Sequence, residues 1–193
     1  MSAAVGIPAA MPDERISGQQ PWHLESPRLW KTPQMESPCE WAAPGGYVVS
    51  TDPGRLDVDR IHRFLSTAYW STGIPRDVVE RSIANSLPFG LYAPSGRQAG
   101  FARVVTDRAT YAYLGDVYVE TAHRGRGLGK FLVSCVIDHP ELQGLRRWAL
   151  ATADAHGLYA RHGFGPPANP GIHLFIERAP GELWPSQAEQ DAG

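Results

Sequence analysis

The chain of 193 residues is poor in cysteine, carries little net charge and contains no long apolar run. Two cysteines, Cys39 and Cys135, are too few for a disulfide framework and favour a reducing compartment. A formal net charge of −2 excludes bulk attraction to nucleic acid or to an anionic membrane. No apolar run approaches the ~20 residues of a membrane span, and no basic segment followed by an apolar stretch opens the chain. These absences predict a soluble, cytoplasmic protein.

Three common ligand-binding signatures are also missing. A P-loop reads G-x-x-x-x-G-K-[S/T], but here Arg124 stands five residues before Gly129, and Phe131 follows Lys130. The dinucleotide fingerprint needs G-x-G-x-x-G within an initial βαβ unit, and the chain shows neither. Several histidines have no metal-ligand spacing with cysteines or carboxylates, so we expect no metal. These histidines are His62, His139, His162 and His173.

A glycine-rich loop between Arg124 and Lys130 is the strongest functional signal that is present. Glycine occupies every second position from Gly125 to Gly129, after a strand-like run and before an apolar helical pattern. Glycine lets backbone N–H groups converge on an anion, and the N-terminus of the next helix adds partial positive charge. Arginine and lysine can pair with further phosphate oxygens. The loop predicts a pyrophosphate site; the alternative is a plain glycine-rich turn.

The first 46 residues differ from the rest because prolines recur every few positions without helical or strand periodicity. Proline removes a hydrogen-bond donor and restricts its predecessor, so this arm is predicted to be largely irregular. Trp22, Trp30 and Trp41 lie in it, although a plain disordered tail would be poorer in aromatics. The arm is therefore either loose or packed against its own domain or another subunit. One domain over residues 47–182 and a tail over 183–193 complete the organisation.

Periodicity and turn signals predict the element order β-α-α-β-β-β-α-β-α-β within the domain. Asp57 can cap a helix that places Ile61 and Leu65 on one face. Pro75 suits the start of a second helix. Strands are predicted at 47–51, 89–93, 98–106, 111–119, 147–152 and 172–177, and helices from 57, at 75–85, at 127–139 and at 155–162 with Asp154 as cap.

Two motifs resemble those of the GCN5-related N-acetyltransferase (GNAT) superfamily. Arg124-Gly-Arg-Gly127-Leu-Gly129 resembles its R-x-x-G-x-G acetyl-CoA loop, and Leu158-Tyr159-Ala-Arg-His-Gly163-Phe164 resembles its L-Y-x-x-x-G-F signature. The runs Tyr69-Trp70-Ser-Thr-Gly73-Ile-Pro and Thr152-Ala-Asp154-Ala-His156-Gly resemble a bacterial branch of small GNAT proteins. The resemblance implies an α/β (α+β) GNAT fold, with a mixed, mostly antiparallel sheet flanked by helices, and acetyl-CoA as co-substrate.

The resemblance also assigns cofactor-binding residues. In the family, the strand before the loop splays from its neighbour and binds the pantetheine arm as an added strand would. A free N–H around Val119 is then the oxyanion donor, and Gly115 is consistent with a bulge nearby. The residues carried over are Val117, Tyr118, Val119, Arg124, Gly125, Arg126, Gly127, Leu128, Gly129, Lys130 and Tyr159.

Tyr159 is the candidate general acid for the thiolate that acetyl transfer releases. A thiol has a reference pKa of about 8.5 and tyrosine about 10, so this proton donation is feasible; the alternative is a tyrosine that only packs and hydrogen-bonds the sulfur. Asp116 is the first candidate base, because a carboxylate in an apolar strand needs a reason; its alternative is a structural carboxylate bonded to backbone or to an arginine. His156 is the second candidate, against a plain surface histidine. Cys135 is interpreted as an inert core thiol.

An aromatic set predicts the acceptor site. In this fold the acceptor pocket is built from the first two helices, their connection and nearby strand ends, which here means Tyr69, Trp70, Phe89 and Tyr113. These rings could stack on or enclose a cationic or aromatic amine, or two or three of them could be core residues. No acidic groove for a polybasic substrate is visible, so we expect a small-molecule or amino-acid amine.

Three functions remain open from the sequence. The leading one is an acetyl-CoA-dependent N-acetyltransferase that works by direct attack in a ternary complex, as a monomer or homodimer. The second is a non-catalytic acyl-CoA-binding regulatory module on the same fold, favoured by the uncertain base. The third, a nucleic-acid-associated protein using Arg-Gly-Arg-Gly, is disfavoured by the acidic net charge.

Overall fold

The computed structural model of the protein describes residues 37–184. The predicted arm is therefore described only from residue 37 onward, and most of the predicted tail lies outside the described residues. One six-stranded sheet runs through the described part, with its strands adjacent in chain order. The strands are β1 Glu40–Ala42, β2 Val48–Ser50, β3 Leu87–Tyr92, β4 Gln98–Thr106, β5 Tyr111–Val119 and β6 Arg147–Ala149.

Helices cover both faces of this sheet. Strands β1 to β5 pair antiparallel, and β6 pairs parallel to β5. The predicted mixed, mostly antiparallel sheet flanked by helices is confirmed. Within the described residues the α-helices are α1 Val58–Leu65, α2 Arg76–Ala84, α3 Leu128–Ile137, α4 His156–Tyr159 and α5 Pro180–Leu183.

The first two helices form where local signals predicted them. The Asp57 side chain accepts a hydrogen bond of 2.9 Å from the Arg60 N–H and so caps α1. Ile61 and Leu65 are buried on one face of α1, as the periodicity predicted. Pro75 is the residue just before α2, one position earlier than the predicted role at the first helical position.

Two apolar clusters hold the sheet between its helices. On one face α1 and α2 pack on Phe101 and Tyr118. On the other face α3 packs on β3, β4 and β5 through Leu132 and Val133, which are fully buried. Burying a side chain of this size stabilises the fold by about 1.5–3 kcal/mol, so the two clusters fix both faces of the central strands.

The sheet begins earlier than predicted, because β1 lies within the segment expected to be irregular. Trp41 pairs with Val49, and its ring centroid is 6.2 Å from that of Phe89. A strand of three residues at a sheet edge tolerates nearby prolines, since it needs few ladder hydrogen bonds. Trp41 thus packs against its own domain, which was one of the two alternatives for the arm. Residues 1–36 lie outside the described residues, and for them both alternatives remain predictions.

The last predicted strand, over residues 172–177, does not form. The described chain has a 3-10 turn at Pro170–Ile172 and no regular structure from His173 to Ala179. Leu174 and Ile176 are 93% and 96% exposed. The prediction was wrong because β6, expected over 147–152, pairs over only three residues and offers a short edge for a further strand.

The helix carrying Tyr159 is capped differently from the prediction. Ala155, not Asp154, is the residue at its N-cap, and its N–H is bonded at 3.1 Å to Oγ1 of Thr152. The helix then tightens into a 3-10 turn that ends at Gly163, which has the left-handed φ of 85° typical of a helix end.

Candidate functional site

A bulge in β5 organises the site. Arg103 pairs with Gly115 and Phe101 pairs with Tyr118, so β5 advances by one residue more than β4 between these pairs. Asp116 lies in this bulge with a φ of 54°, a left-handed conformation that costs a non-glycine residue about 1–2 kcal/mol. The bulge that Gly115 suggested is confirmed.

The extra residue changes which face of the sheet the later side chains occupy. Leu114, before the bulge, belongs to the cluster under α3. Tyr118 would share that face by simple alternation, yet its ring packs under α1, 3.7 Å from the Phe64 ring centroid and nearly parallel to it. Val117 and Val119 pack instead toward the α3 cluster. Because of the bulge, the side chains of Val117 and Val119 lie on the α3 face of the sheet and that of Tyr118 lies on the α1 face.

The sheet opens next to this bulge. Strands β5 and β6 pair only from Tyr111 with Arg147 to Tyr113 with Ala149. In the described part of the chain, the rest of β5 has no strand neighbour on that side. The predicted splaying of β5 is therefore present, and it leaves backbone groups of β5 at an open edge.

Alternation identifies which backbone groups face the opening. The Glu120 N–H donates to the Ala99 carbonyl at 2.8 Å, toward β4. Backbone N–H and C=O groups of residues two apart on a strand point toward the same neighbour. Those of Tyr118 therefore also face β4, and those of Val117 and Val119 face the open edge. The Val119 carbonyl accepts a 2.9 Å hydrogen bond from Nε of Arg124, which lies on that side.

A cavity of about 320 Å³, the loop cavity, lies in this opening. It is lined by residues 117–119 of β5, residues 123–125 and 127–130 of the loop and α3, and Ala155, Leu158 and Tyr159. The predicted cofactor-binding residues all line it except Arg126, which is exposed on the loop. Tyr118 contributes through its backbone, because its ring is buried under α1.

The loop fits a pyrophosphate. Gly125 and Gly127 have left-handed φ values of 75° and 77°. A Cβ built on either would meet no described atom within 4 Å and would project into open space, and both residues line the loop cavity. No side chain of residues 37–184 caps α3, so its first N–H groups are available to an anion. Lys130 and the terminal nitrogens of Arg124 add positive charge.

His123 also lines the loop cavity, and the sequence analysis missed it. Its Nδ1 lies 2.9 Å from the hydroxyl oxygen of Tyr47, 76 residues earlier in the chain. The two rings meet edge to face with centroids 5.7 Å apart. Position next to Arg124 was the only signal in the sequence, and no local pattern links it to Tyr47.

A second cavity of about 540 Å³, the aromatic cavity, lies on the other face of the opening. It is lined by residues 69–71 and Ile74 of the α1–α2 connection, Arg103, residues 113–117, residues 151–155, Tyr159 and Trp184. Tyr69 holds this wall together, since its hydroxyl accepts a 3.1 Å hydrogen bond from the Ala153 N–H.

Three of the four predicted acceptor-site aromatics line the aromatic cavity, and the fourth does not. Tyr69, Trp70 and Tyr113 are 37–57% exposed and line it. Phe89 is fully buried and contacts the rings of Trp41 and His139. Phe89 therefore does not belong to the aromatic cavity, because its side chain points into the core on the α3 face of the sheet, where the rings of Trp41 and His139 pack against it.

Tyr159 borders both cavities, together with Val117 and Ala155. Its side chain is buried, and this burial raises the pKa of Tyr159 above the usual tyrosine value. The neighbouring Tyr69, Asp154 and Tyr113 raise the pKa of Tyr159 further by their negative or potentially negative charge. The hydroxyl therefore stays protonated at neutral pH and can donate a proton.

Asp116 has both carboxylate oxygens engaged. Its Oδ1 accepts a 3.2 Å hydrogen bond from Nε1 of Trp70, and its Oδ2 accepts from Nε of Arg103. The bond to an arginine is the contact expected if Asp116 has the structural role that the sequence left open as an alternative to a base. Arg103 was missed, although a charged residue within an apolar strand is the same signal that singled out Asp116.

The remaining candidates lie away from the cavities. His156 is exposed and borders neither one. Cys135 lies on the core-facing side of α3, where burial raises the pKa of its thiol to about 12. Among residues 37–184 no three His, Cys, Asp or Glu side chains are grouped to hold a metal ion. No helix in that range is long and apolar enough to cross a membrane.

Comparison with known proteins identifies the family. The sequence model described as "Acetyltransferase (GNAT) family" matches residues 55–164. A protein of Gibberella zeae assigned as an acetyltransferase is 33% identical over 66% of this chain and 83% of its own length. The crystal structure of a Xanthomonas campestris pv. campestris protein assigned to the GNAT family is 52% identical, covers 72% of this chain and 97% of its own, and superposes with a TM-score of 0.69.

A more distant structure shares the fold. A Deinococcus radiodurans protein assigned as an acetyltransferase is 20% identical, covers 72% of this chain and 94% of its own, and superposes with a TM-score of 0.56. The region that the family model matches, residues 55–164, contains the bulged strand, the glycine loop and the Tyr159 helix described above. The chain belongs to the GNAT family of acetyltransferases.

Proposed function

We propose that the protein is an acetyl-CoA-dependent N-acetyltransferase that moves the acetyl group to a primary amine by direct attack in a ternary complex. The observation that carries this proposal is the position of Tyr159, which borders both the loop cavity and the aromatic cavity. A thioester held from one side and an amine held from the other would meet beside its hydroxyl group.

The loop cavity would hold acetyl-CoA. The glycine loop and the N-terminus of α3 bind the pyrophosphate, and the open edge of β5 pairs with the pantetheine arm. A Clostridium acetobutylicum protein of the same fold, with a TM-score of 0.50 and 14% identity, has a crystal structure with acetyl-CoA. The co-substrate supplies an acyl group that an amine can attack.

The backbone of β5 would stabilise the transition state. The Val117 and Val119 N–H groups face the open edge, so either can donate to the oxyanion that forms when the amine attacks the carbonyl carbon. Loss of one such donor typically costs about 10²–10³ in rate. The bulge at Asp116 matters here, because it sets which N–H groups face the opening.

Tyr159 would protonate the leaving sulfur. The neutral amine attacks the carbonyl carbon and forms the C–N bond of a tetrahedral oxyanion. When this intermediate collapses, the C–S bond breaks and the thiolate takes the proton of the Tyr159 hydroxyl. The nitrogen gives up its extra proton to solvent, and the tyrosinate is reprotonated from solvent. The raised pKa of Tyr159 keeps the hydroxyl protonated before the reaction. Asp116, with both oxygens engaged, serves this reaction as the residue that positions Trp70 and Arg103.

The test combines binding with turnover. The purified protein is titrated with acetyl-CoA by calorimetry, and free thiol release is then followed over a panel of amines. We expect micromolar binding and amine-dependent release. In Tyr159→Phe, kcat should fall by about 10²–10⁴ while acetyl-CoA binding is retained. Tyr111→Phe is the matched control, since Tyr111 is exposed at the start of β5 and borders neither cavity.

Two results would contradict the proposal. Acetyl-CoA binding without turnover on any amine would favour a non-catalytic acyl-CoA-binding module. Absence of acetyl-CoA binding would mean that the glycine loop does not hold this co-substrate.

A further inference from the structure

Arg103 places a guanidinium group in the wall of the aromatic cavity. Its side chain is 20% exposed, and Nε donates to Oδ2 of Asp116. Within residues 37–184 the two terminal nitrogens of Arg103 have no hydrogen-bond acceptor. The ion pair thus occupies one edge of the guanidinium and leaves the other edge available to a ligand.

The available edge has the geometry of a carboxylate site. A planar guanidinium offers two parallel N–H groups, which match the two oxygens of a carboxylate. Trp70 fixes Asp116 through Oδ1, and Asp116 in turn fixes Arg103 through Oδ2. The arginine is therefore held in place before a ligand binds, which lowers the entropic cost of binding.

The position of Arg103 along the strands limits the size of the ligand. Arg103 pairs with Gly115, and Val117 lies two residues further along β5, at the border between the two cavities. Extended strand rises about 3.3 Å per residue, and the bulge at Asp116 shortens this path, so the separation is below about 7 Å. A carboxylate on Arg103 and an amine beside Tyr159 therefore fit within one small molecule.

The other walls suit an apolar body. Tyr69, Trp70 and Trp184 line the cavity, and the first two are 57% and 38% exposed. Aromatic rings of this kind gain most by covering another apolar or aromatic group. Asp154 is the other carboxylate in the lining beside Asp116, so a polyamine would find one unengaged counter-charge and would also meet the positive charge of Arg103.

We propose that the acceptor is an amino acid or closely similar amino carboxylate with an apolar or aromatic side chain, whose carboxylate binds the terminal nitrogens of Arg103. This inference rests on the proposed N-acetyltransferase function and names the substrate class of the same site. A decarboxylated amine leaves the terminal nitrogens of Arg103 without an acceptor beside the bound ligand, and this is unfavourable.

The experiment compares matched acceptors. Phenylalanine, tyrosine, tryptophan and leucine are paired with phenethylamine, tyramine, tryptamine and isoamylamine, and kcat/KM is measured by thiol release. In the wild type we expect at least one amino acid to exceed its amine by about 100-fold or more, as sites built to bind a polar group reject analogues that lack it.

A charge-balanced variant tests the residue itself. Arg103→Gln combined with Asp116→Asn removes both charges of the ion pair together, and Asp116→Asn alone is its control, because it retains Arg103. Relative to this control, the double variant should lose about 100-fold in kcat/KM for the amino acid and change less than about threefold for the amine. A preference of the wild type for the amines, or equal loss for both classes, would overturn the inference.

Binding measurements decide the case in which no acceptor turns over. The same pairs are titrated by calorimetry into protein saturated with CoA. Binding of an amino acid, lost in the double variant, would uphold the carboxylate site even if catalysis fails. Binding of neither class would overturn it. Absence of acetyl-CoA binding, by contrast, would overturn the proposed function. It is measured in a separate titration, so the two failures can be told apart.

Discussion

The indole Nε1 of Trp70 donates a 3.2 Å hydrogen bond to Oδ1 of Asp116, across 46 residues of sequence. This contact joins the α1–α2 connection to the bulge in β5, and so links the two walls of the aromatic cavity. Because Asp116 binds Arg103 with its other oxygen, a substitution of Trp70 should also alter the position of Arg103.

Trp70→Phe should weaken acceptor binding without affecting acetyl-CoA. The substitution keeps an aromatic ring and removes the hydrogen bond to a charged group, which is worth about 1.5–3 kcal/mol when fully formed. We expect KM for the acceptor to rise about tenfold, with acetyl-CoA affinity unchanged by calorimetry. A loss of acetyl-CoA affinity of the same size would show that Trp70 acts on the whole domain.

Gly127→Ala should weaken acetyl-CoA binding by about tenfold or more. The residue has a φ of 77°, and its added Cβ would project into the open space before the loop. Gly144→Ala is the matched control, because Gly144 has a φ of 74°, an equally open Cβ position, and no part in either cavity. Both variants should lose about 1–2 kcal/mol of unfolding free energy; equal acetyl-CoA affinity in the two would contradict a phosphate-binding role for the loop.

The alkaline limit of kcat should lie above pH 10. Burial, with the nearby Tyr69, Asp154 and Tyr113, raises the pKa of Tyr159 above its ordinary value of 10.0. A raised pKa means that the acid form persists to higher pH, so the rate keeps its proton donor through pH 10. The kcat–pH profile with a saturating acceptor tests this. If kcat of the wild type instead declined around a pH below 9, and this decline were absent in Tyr159→Phe, the pKa of Tyr159 would be lowered rather than raised.

The free energy of unfolding should fall as pH rises from 10 toward 12. Burial raises the pKa of Tyr92 from 10.0 to about 12, so in this window the unfolded state loses the Tyr92 proton while the folded state keeps it. The unfolded state then binds fewer protons, and stability decreases with pH. Urea midpoints at pH 8 and pH 11 measure the effect.

Tyr92→Phe is the variant for that measurement. The Tyr92 hydroxyl is buried and has no hydrogen-bond partner in the described part of the chain. Its removal should raise the unfolding free energy by about 1 kcal/mol at neutral pH and should reduce the alkaline loss. A variant that is less stable than the wild type at pH 8 would show that the hydroxyl has a partner in solution.

Cys135→Ala should have the same kcat as the wild type. The thiol is buried on the core-facing side of α3, its pKa is raised to about 12 by burial, and it borders neither cavity. In a Cys39→Ser background, Cys135 should react with iodoacetamide only after denaturant is added, which mass spectrometry would show. Acetylation of Cys135 in the native protein by acetyl-CoA would contradict the direct-attack mechanism.

Much of the fold could be predicted because its signals are local. The bounds of β4 and β5 match the prediction, since each strand is a short run rich in β-branched and aromatic residues that ends at a turn signal. The cap of α1 and the loop before α3 depend on contacts within one helical turn. The strand predicted at 172–177 failed for the opposite reason, because a strand needs an edge to pair with and β6 is too short to supply one.

By itself, the sequence determined the family, the glycine loop and the tyrosine helix, because each depends on residues close together in the chain. Tertiary structure decided which residues line the aromatic cavity. The bulge at Asp116 shifts the alternation of β5, and packing on the α3 face, with Trp41 and His139 as neighbours, buries Phe89. The pairing of Arg103 with Asp116, 13 residues apart, depends on how β4 and β5 align. Strand alignment is set by packing across the whole sheet, and no short stretch of sequence contains that information.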